Sequence, residues 1–233
     1  MPVSQSRRKR RNSAGFCAPY PASEAFLSVQ DAYLGEEVRK RGVVNTEELP
    51  PVSISPRISL WRGDITMLRC DAIVNAANSA LLGCWQPCHS CIDNIIHTLS
   101  GVQLRIRCNE IMQEQGHEEP AGTAKITPAY NLPCKYVLHT VGPIITGPLR
   151  SQDCETLASC YRSCLELAAE NGLQSVAFCC ISTGVFHFPQ ERAAEIAVET
   201  VLHFLEKNDS IRQVVFNVFT DRDLSIYRKL LER

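Results

Sequence analysis

Between residues 57 and 233, short apolar runs alternate with helix-like segments, and this alternation constrains the fold more than any other feature of the chain. The runs RISLW, CDAIVNA, TAKITPAY, KYVLHTV, QSVAFCCI and QVVFNVF read as strands bounded by turn residues. Helical periodicity covers about 92–115, 152–171, 189–207 and 222–232. Several strand runs are apolar at consecutive positions, as in strands covered on both faces. The pattern predicts an α/β sandwich with some antiparallel pairing. A chain of 233 residues with 45% apolar side chains can bury one sizeable core, and no internal repeat divides it.

Upstream of this block the character changes. Residues 1–22 carry the basic run Arg7-Arg8-Lys9-Arg10-Arg11 followed by small residues and prolines, and read as a solvated tail or a localisation signal. Residues 23–41 place apolar side chains at 26, 27, 29, 33, 34 and 38, which predicts an amphipathic helix capped near Ser23. The segment ELPPVSISP then reads as a linker or extended lead-in, so residues 23–56 form a helical extension to a domain spanning 57–233. A formal net charge of -1 argues against nucleic acid as a partner. No apolar stretch approaches the ~20 residues that span a bilayer, and no apolar export segment follows the basic run, so a cytoplasmic location is expected. Nothing in the pattern demands more than a monomer.

Twelve cysteines are many for such a chain. Without an export signal a disulfide framework is disfavoured. Cys70, Cys108, Cys134, Cys179 and Cys180 sit in apolar or mixed surroundings and read as small buried hydrophobes, as do Cys160 and Cys164 at helical spacing. A different cluster stands apart: Cys84, Cys88 and Cys91 crowd around His89 within eight residues. Four soft or borderline ligands this close form a transition-metal site, with zinc the default for mixed sulfur and nitrogen ligation.

Three further segments carry chemistry. Asp64 and Ile65 in Gly63-Asp64-Ile65-Thr66 follow a strand, where the carboxylate can accept from an amine or simply cap a turn. Asn75 and Asn78 in VNAANS leave an apolar strand with amides suited to sugar hydroxyls, or to a turn. Ser182-Thr183-Gly184-Val185-Phe186 joins a strand to a helix. Its glycine lets backbone N–H groups face a ligand, and the helix N-terminus behind it favours an anion such as a diphosphate.

Taken together, GDIT, VNAANS, HTVGP and STGVFHFP resemble the macrodomain family, in the family's order and across essentially all of residues 57–233. The stretch LLGCWQPCHSCIDNIIH stands where most macrodomains carry a glycine-rich catalytic loop. In that respect the chain resembles the zinc-containing microbial subclass of protein-ADP-ribose hydrolases, whose N-terminal helical extension residues 23–50 also resemble. The resemblance implies a three-layer α/β/α fold with a mixed central sheet. It further implies that Asp64 and Ile65 meet adenine and that residues 182–186 wrap the diphosphate. Asn78, Cys91, Ile92 and Asp93 fall at the distal ribose, with Asn78 and Asp93 catalytic. The subclass zinc pattern Cys-x4-His-x-Cys falls on Cys84, His89 and Cys91. Two positions depart from the pattern: His187 stands where many macrodomains have glycine, and Cys88 is an extra thiol.

Three protein ligands leave one tetrahedral zinc position open. Two thiolates and a neutral imidazole cancel the metal's formal charge, so bound water should be polarised less than at a three-histidine site. Asp93 is then the expected group to orient or deprotonate the attacking water. The implied partner is an ADP-ribosylated protein, with a sirtuin-type ADP-ribosyltransferase as functional opposite. The competing readings are a non-catalytic ADP-ribose reader, an O-acetyl-ADP-ribose deacetylase, and a zinc-stabilised scaffold or nucleic-acid-binding protein that uses the basic N-terminal run.

Overall fold

The computed structural model describes residues 19–86 and 89–232, so the basic run, Cys17 and Cys88 lie outside the described residues. The strands are β1 Val44–Asn45, β2 Pro51–Val52, β3 Ser55–Arg62, β4 Leu68–Arg69, β5 Ala72–Ala77, β6 Ala124–Pro128, β7 Tyr136–Val141, β8 Ser175–Phe178 and β9 Gln213–Val218. The helices are α1 Glu24–Arg41, α2 Ile92–Ser100, α3 Val102–Gln115, α4 Ser151–Glu170, α5 Gln190–Lys207 and α6 Asp221–Leu231. β1 and β4 form a small parallel pair. The other strands make one seven-stranded mixed sheet in the order β2-β3-β9-β8-β5-β7-β6. Its inner five strands are parallel, and β2 and β6 close the edges antiparallel.

Layering follows from the crossovers. The chain leaves β5 toward β7 through α2 and α3, then returns past β5 to β8 through α4 and onward to β9 through α5. Right-handed connections running in opposite directions put α2 and α3 on one face and α4 and α5 on the other. α6 packs beside α5 and against β3. The expectation of strands covered on both faces holds: every position of β7 and β9 after the first is buried. Cys70, Cys108, Cys134, Cys160, Cys164 and Cys179 are buried free thiols in the core, and Cys180 is half-buried.

Four local expectations need correcting. The helix expected over 92–115 is two helices, because Gly101 adopts φ 101° and ψ 174°, a conformation that side chains avoid. The apolar run QSVAFCCI yields only the four-residue strand β8, and Cys179 onward already turns away. The proline-rich lead-in is not a free linker: Pro51 and Val52 pair with β3 at the sheet edge. Helix α1 begins as expected, with Ser23 accepting from the Phe26 N–H, but it does not dock by an apolar stripe. Phe26 and Val29 are exposed, and the buried face is Gln30, Leu34 and Glu37.

The contacts of α1 are therefore polar and specific. The Gln30 Nε2 group donates to Gln103 Oε1 at 2.6 Å, while Gln30 Oε1 accepts from the Val102 N–H at 3.0 Å. Asp31 accepts from Gln103 and from Asn131 at 3.0 and 2.8 Å, and these bonds outweigh its burial to hold its carboxyl below the usual range. Gly101 sits in the middle of this seam, where an added Cβ would stand 2.6 Å from both Gln30 Nε2 and Gln103 Oε1. Gly101→Ala should therefore lower stability by about 2 kcal/mol in urea unfolding, through backbone strain and the broken seam together. Unchanged stability would show that neither is present.

Candidate functional site

Because the inner five strands are parallel, their C-terminal ends share one edge of the sheet, where open α/β sheets bind ligands. That edge gathers the turn after β3 (Gly63, Asp64, Ile65), Phe219 after β9, the loop 179–186 after β8, Asn78 after β5 and Gly142 after β7. A cavity of about 350 Å³ opens there. Its wall includes Asp64, Ile65, Cys91, Ile92 and each of Ser182, Thr183, Gly184, Val185 and Phe186. Strand order lays these groups out in line. Neighbouring strands are about 4.8 Å apart, so the path from β3 to β5 is ~14 Å long and suits an elongated guest.

The loop after β8 is held by its own backbone bonds. The N–H groups of Thr183, His187 and Phe188 donate to the carbonyls of Cys180, Gly184 and Ser182, and Ile145 donates to Phe186. The N–H groups of Gly184, Val185 and Phe186 take no part in these bonds. These three donors, without a hydrogen-bond partner among the described residues, lie ahead of the N-terminus of α5, an arrangement suited to cradling an anion. The loop's left-handed residues are Ser182 and His187, at φ 64° and 57°, rather than the glycine. Gly184 instead faces open space. Gly142 supports the loop from below: an added Cβ would lie 2.0 Å from Ser182 Oγ.

At the β3 end, Asp64 caps a single 3₁₀ turn, Ile65–Met67, by accepting from the Thr66 N–H at 3.0 Å. At the other end, Cys84, His89 and Cys91 converge, with their ligating atoms all within 4.8 Å of one another. Cys84 Sγ and His89 Nδ1 are 3.3 Å apart. Tetrahedral zinc with bonds of about 2.0–2.3 Å needs ligand atoms roughly 3.5 Å apart, so the three residues fit such an ion. Burial first, then the nearby Cys84 thiol, pushes the Cys91 thiol up to about 12. Coordination to a cation would have to displace that proton, so metal binding at this site would release protons.

Asp93, in the first turn of α2 between the wall residues Ile92 and Ile95, does not itself line the cavity and is buried. Asn75 Nδ2 donates to its Oδ1 at 2.8 Å and Asn78 Nδ2 to its Oδ2 at 3.1 Å. Burial pushes its carboxyl up to about 6, against the pull of those two amides and of the Arg105 guanidinium. The network continues inward. Asn75 Nδ2 also lies 3.2 Å from His139 Nδ1, whose Nε2 is 2.9 Å from Thr127 Oγ1. Burial holds His139 down to about 4, so it is neutral. With Nδ1 accepting from Asn75, Nε2 is left to donate to Thr127. His97, Cys108 and His139 are also of ligating type, but all three are buried beneath Asp93 and away from the cavity wall.

Of the expected site residues, Asp64, Ile65, Cys91, Ile92 and 182–186 meet on one cavity wall, while Asn78, Cys84, His89 and Asp93 do not line it. Wall residues that the sequence did not assign to the site include Ile95, Cys179, Cys180, Asn217, Phe219 and Asp223. Phe219 carried a readable signal. It is an aromatic between the last strand residue and the helix cap Thr220, and 72% of it is exposed.

A model of the Macro domain family matches residues 74–197. A protein-ADP-ribose hydrolase of Treponema medium is 61% identical over 91% of this chain and 82% of its own length. One of Staphylococcus aureus (strain MSSA476) is 53% identical over 91% and 80%. The Trypanosoma brucei macrodomain in complex with ADP-ribose superposes with a TM-score of 0.74 at 33% identity, covering 96% of this chain and 94% of that one. The chain belongs to the Macro domain family. Its mixed sheet between helices is the macrodomain α/β fold.

The amides that converge on Asp93 give a direct test of the network. Asp93→Ala leaves the Nδ2 groups of Asn75 and Asn78 without their carboxylate, and should cost about 1–3 kcal/mol of stability. Guanidinium unfolding measures this. A variant as stable as the native protein would mean that Asp93 does not organise the loop.

Proposed function

We propose that this chain removes mono-ADP-ribose from modified proteins, holding the nucleotide along the strand ends and breaking the bond at ribose C1″ beside the Cys84, His89 and Cys91 triad. The observation that carries the reading is a single cavity wall with three uncommitted N–H groups at its centre and the triad's Cys91 further along. The names of the bacterial relatives support it, since both are protein-ADP-ribose hydrolases.

In this reading Asp64 and Ile65 receive the adenine, whose face stacks on Phe219. The N–H groups of 184–186 hold the diphosphate, and Asn78, Cys91 and Ile92 face the distal ribose. Asp93 orients a water and takes its proton as the water oxygen bonds to C1″ and the substrate's side chain departs. After Asn75 and Asn78 have donated, each Asp93 oxygen keeps a lone pair for that water. Departure of the side chain leaves positive character on the ribose, which the neighbouring diphosphate offsets. Cys84, His89 and Cys91 would hold zinc, and the chemistry it supplies when bound is a coordination point for a ribose oxygen, its charge largely cancelled by two thiolates.

A second reading, a reader that binds without cleaving, is favoured by one observation: Asp93 is buried and off the cavity wall. Incubation with a mono-ADP-ribosylated protein separates the two. The native protein should release ADP-ribose and lose that activity with a chelator, while Asp93→Asn should be slower by about 10²–10⁴-fold. No release by zinc-loaded native protein would establish the reader instead, and near-native release by Asp93→Asn would remove the base.

Two sets of variants test the ligand assignments. Cys84→Ser and His89→Ala should lose zinc by metal analysis while Cys88→Ser retains it; loss in Cys88→Ser with retention in Cys91→Ser would reverse the assignment. Gly184 faces open space, so Gly184→Glu should fold normally and place a carboxylate against the cradle. Calorimetry should then detect no ADP-ribose binding, and undiminished affinity would contradict the cradle.

A further inference from the structure

Helix α1 reaches the cavity through one side chain. Arg41, the last residue of the helix, extends Nη2 to Asp64 Oδ2 at 2.5 Å and to Thr66 Oγ1 at 2.7 Å. Only 18% of the Arg41 side chain is exposed, and Thr66 is buried. Arg41 does not itself line the cavity and reaches the wall through Asp64. Chain direction turns away immediately after it, at Gly42 with φ 83°.

The consequence is an accounting of acceptor sites. An ionised carboxylate offers about four lone-pair positions. The Thr66 N–H and the Thr66 hydroxyl both donate to Oδ1, at 3.0 and 2.5 Å, and fill that oxygen. Arg41 occupies one position on Oδ2. A single acceptor position therefore remains on Oδ2, and because both oxygens are tethered the carboxylate cannot rotate to offer it elsewhere. The side chain is still 33% exposed and lines the cavity.

We infer that Arg41 makes Asp64 a fixed single acceptor that selects a 6-amino purine over a 6-keto purine. The inference rests on the reading that Asp64 receives the base. An amine at position 6 donates to that acceptor. A keto oxygen there meets a carboxylate lone pair, and its ring N1–H, displaced from the amine position, finds no acceptor while Asp64 is tethered. Released from Arg41, the carboxylate can turn toward N1–H and the discrimination falls. Arg41 is thus a positioning residue supplied by the extension, and α1 contributes to ligand selection as well as to stability.

Calorimetry with ADP-ribose and inosine diphosphate ribose reads this as a ratio of affinities within one protein. The full-length native chain should prefer ADP-ribose by about tenfold or more. Arg41→Gln should narrow the ratio by about fivefold or more, with a weaker grip on ADP-ribose and a stronger one on the inosine analogue. Arg41→Met, which keeps the aliphatic stem, decides the matter if the Gln variant is poorly folded. A ratio unchanged in the folded Arg41 variant, while Asp64→Ala loses it, overturns the inference and leaves the adenine reading standing. A ratio unchanged in Asp64→Ala overturns both.

Discussion

Parallel alignment of the five inner strands is the constraint on which the rest of this protein depends. It is imposed by runs such as VVFNV and VLHTV, buried at every position, which need helices on both faces and hence long crossovers. Once the strands run the same way, every loop that follows one emerges on the same edge. Groups remote in sequence, such as Asp64 and Phe219, become neighbours there without any direct bond between them. The antiparallel edge strands β2 and β6 close the sheet without adding to that edge.

Along this edge, charge is handled by fixed dipoles and hydrogen bonds more than by free ions. The centre offers backbone N–H groups, one flank offers a tethered carboxylate, and the other offers two thiols and an imidazole. Behind the thiol flank, the Asn75, Asp93 and Asn78 bonds tie β5 to the start of α2. Neutral His139 extends that support into the core. The segment between β5 and α2 is thereby anchored at its far end.

Much of this was legible in the sequence, for identifiable reasons. The strand runs and helix periods gave the α/β layering, and the segments GDIT and STGVFHFP mark two stretches of the cavity wall because short strand-end loops have few alternative conformations. The clustering of Cys84, Cys88, His89 and Cys91 is local, so spacing pointed to a ligand cluster there, and the family resemblance singled out Cys84, His89 and Cys91, which do converge. What escaped was either conformational or long-range. Gly101 reads as a tolerated glycine within one long helix until its φ of 101° is known. The apolar periodicity of 23–41 suggested the wrong face, since Gln30 and Asp31 find partners more than seventy residues away. Arg41 is likewise one of three basic residues in a last helical turn, and only the fold distinguishes it from Arg39 and Lys40.

The central claim is that ADP-ribose lies along the C-terminal strand ends with its diphosphate on the loop after β8. Titration of the ¹⁵N-labelled protein with ADP-ribose, followed by backbone amide shifts, tests it most directly. The account predicts that the largest changes fall on the amides of Gly184, Val185 and Phe186, with lesser ones at Asp64 and Phe219. The amides of Gln174 and Ser175, at the opposite edge of the sheet, should stay in place. Saturable shifts centred on that opposite edge, with 184–186 unmoved, would contradict it.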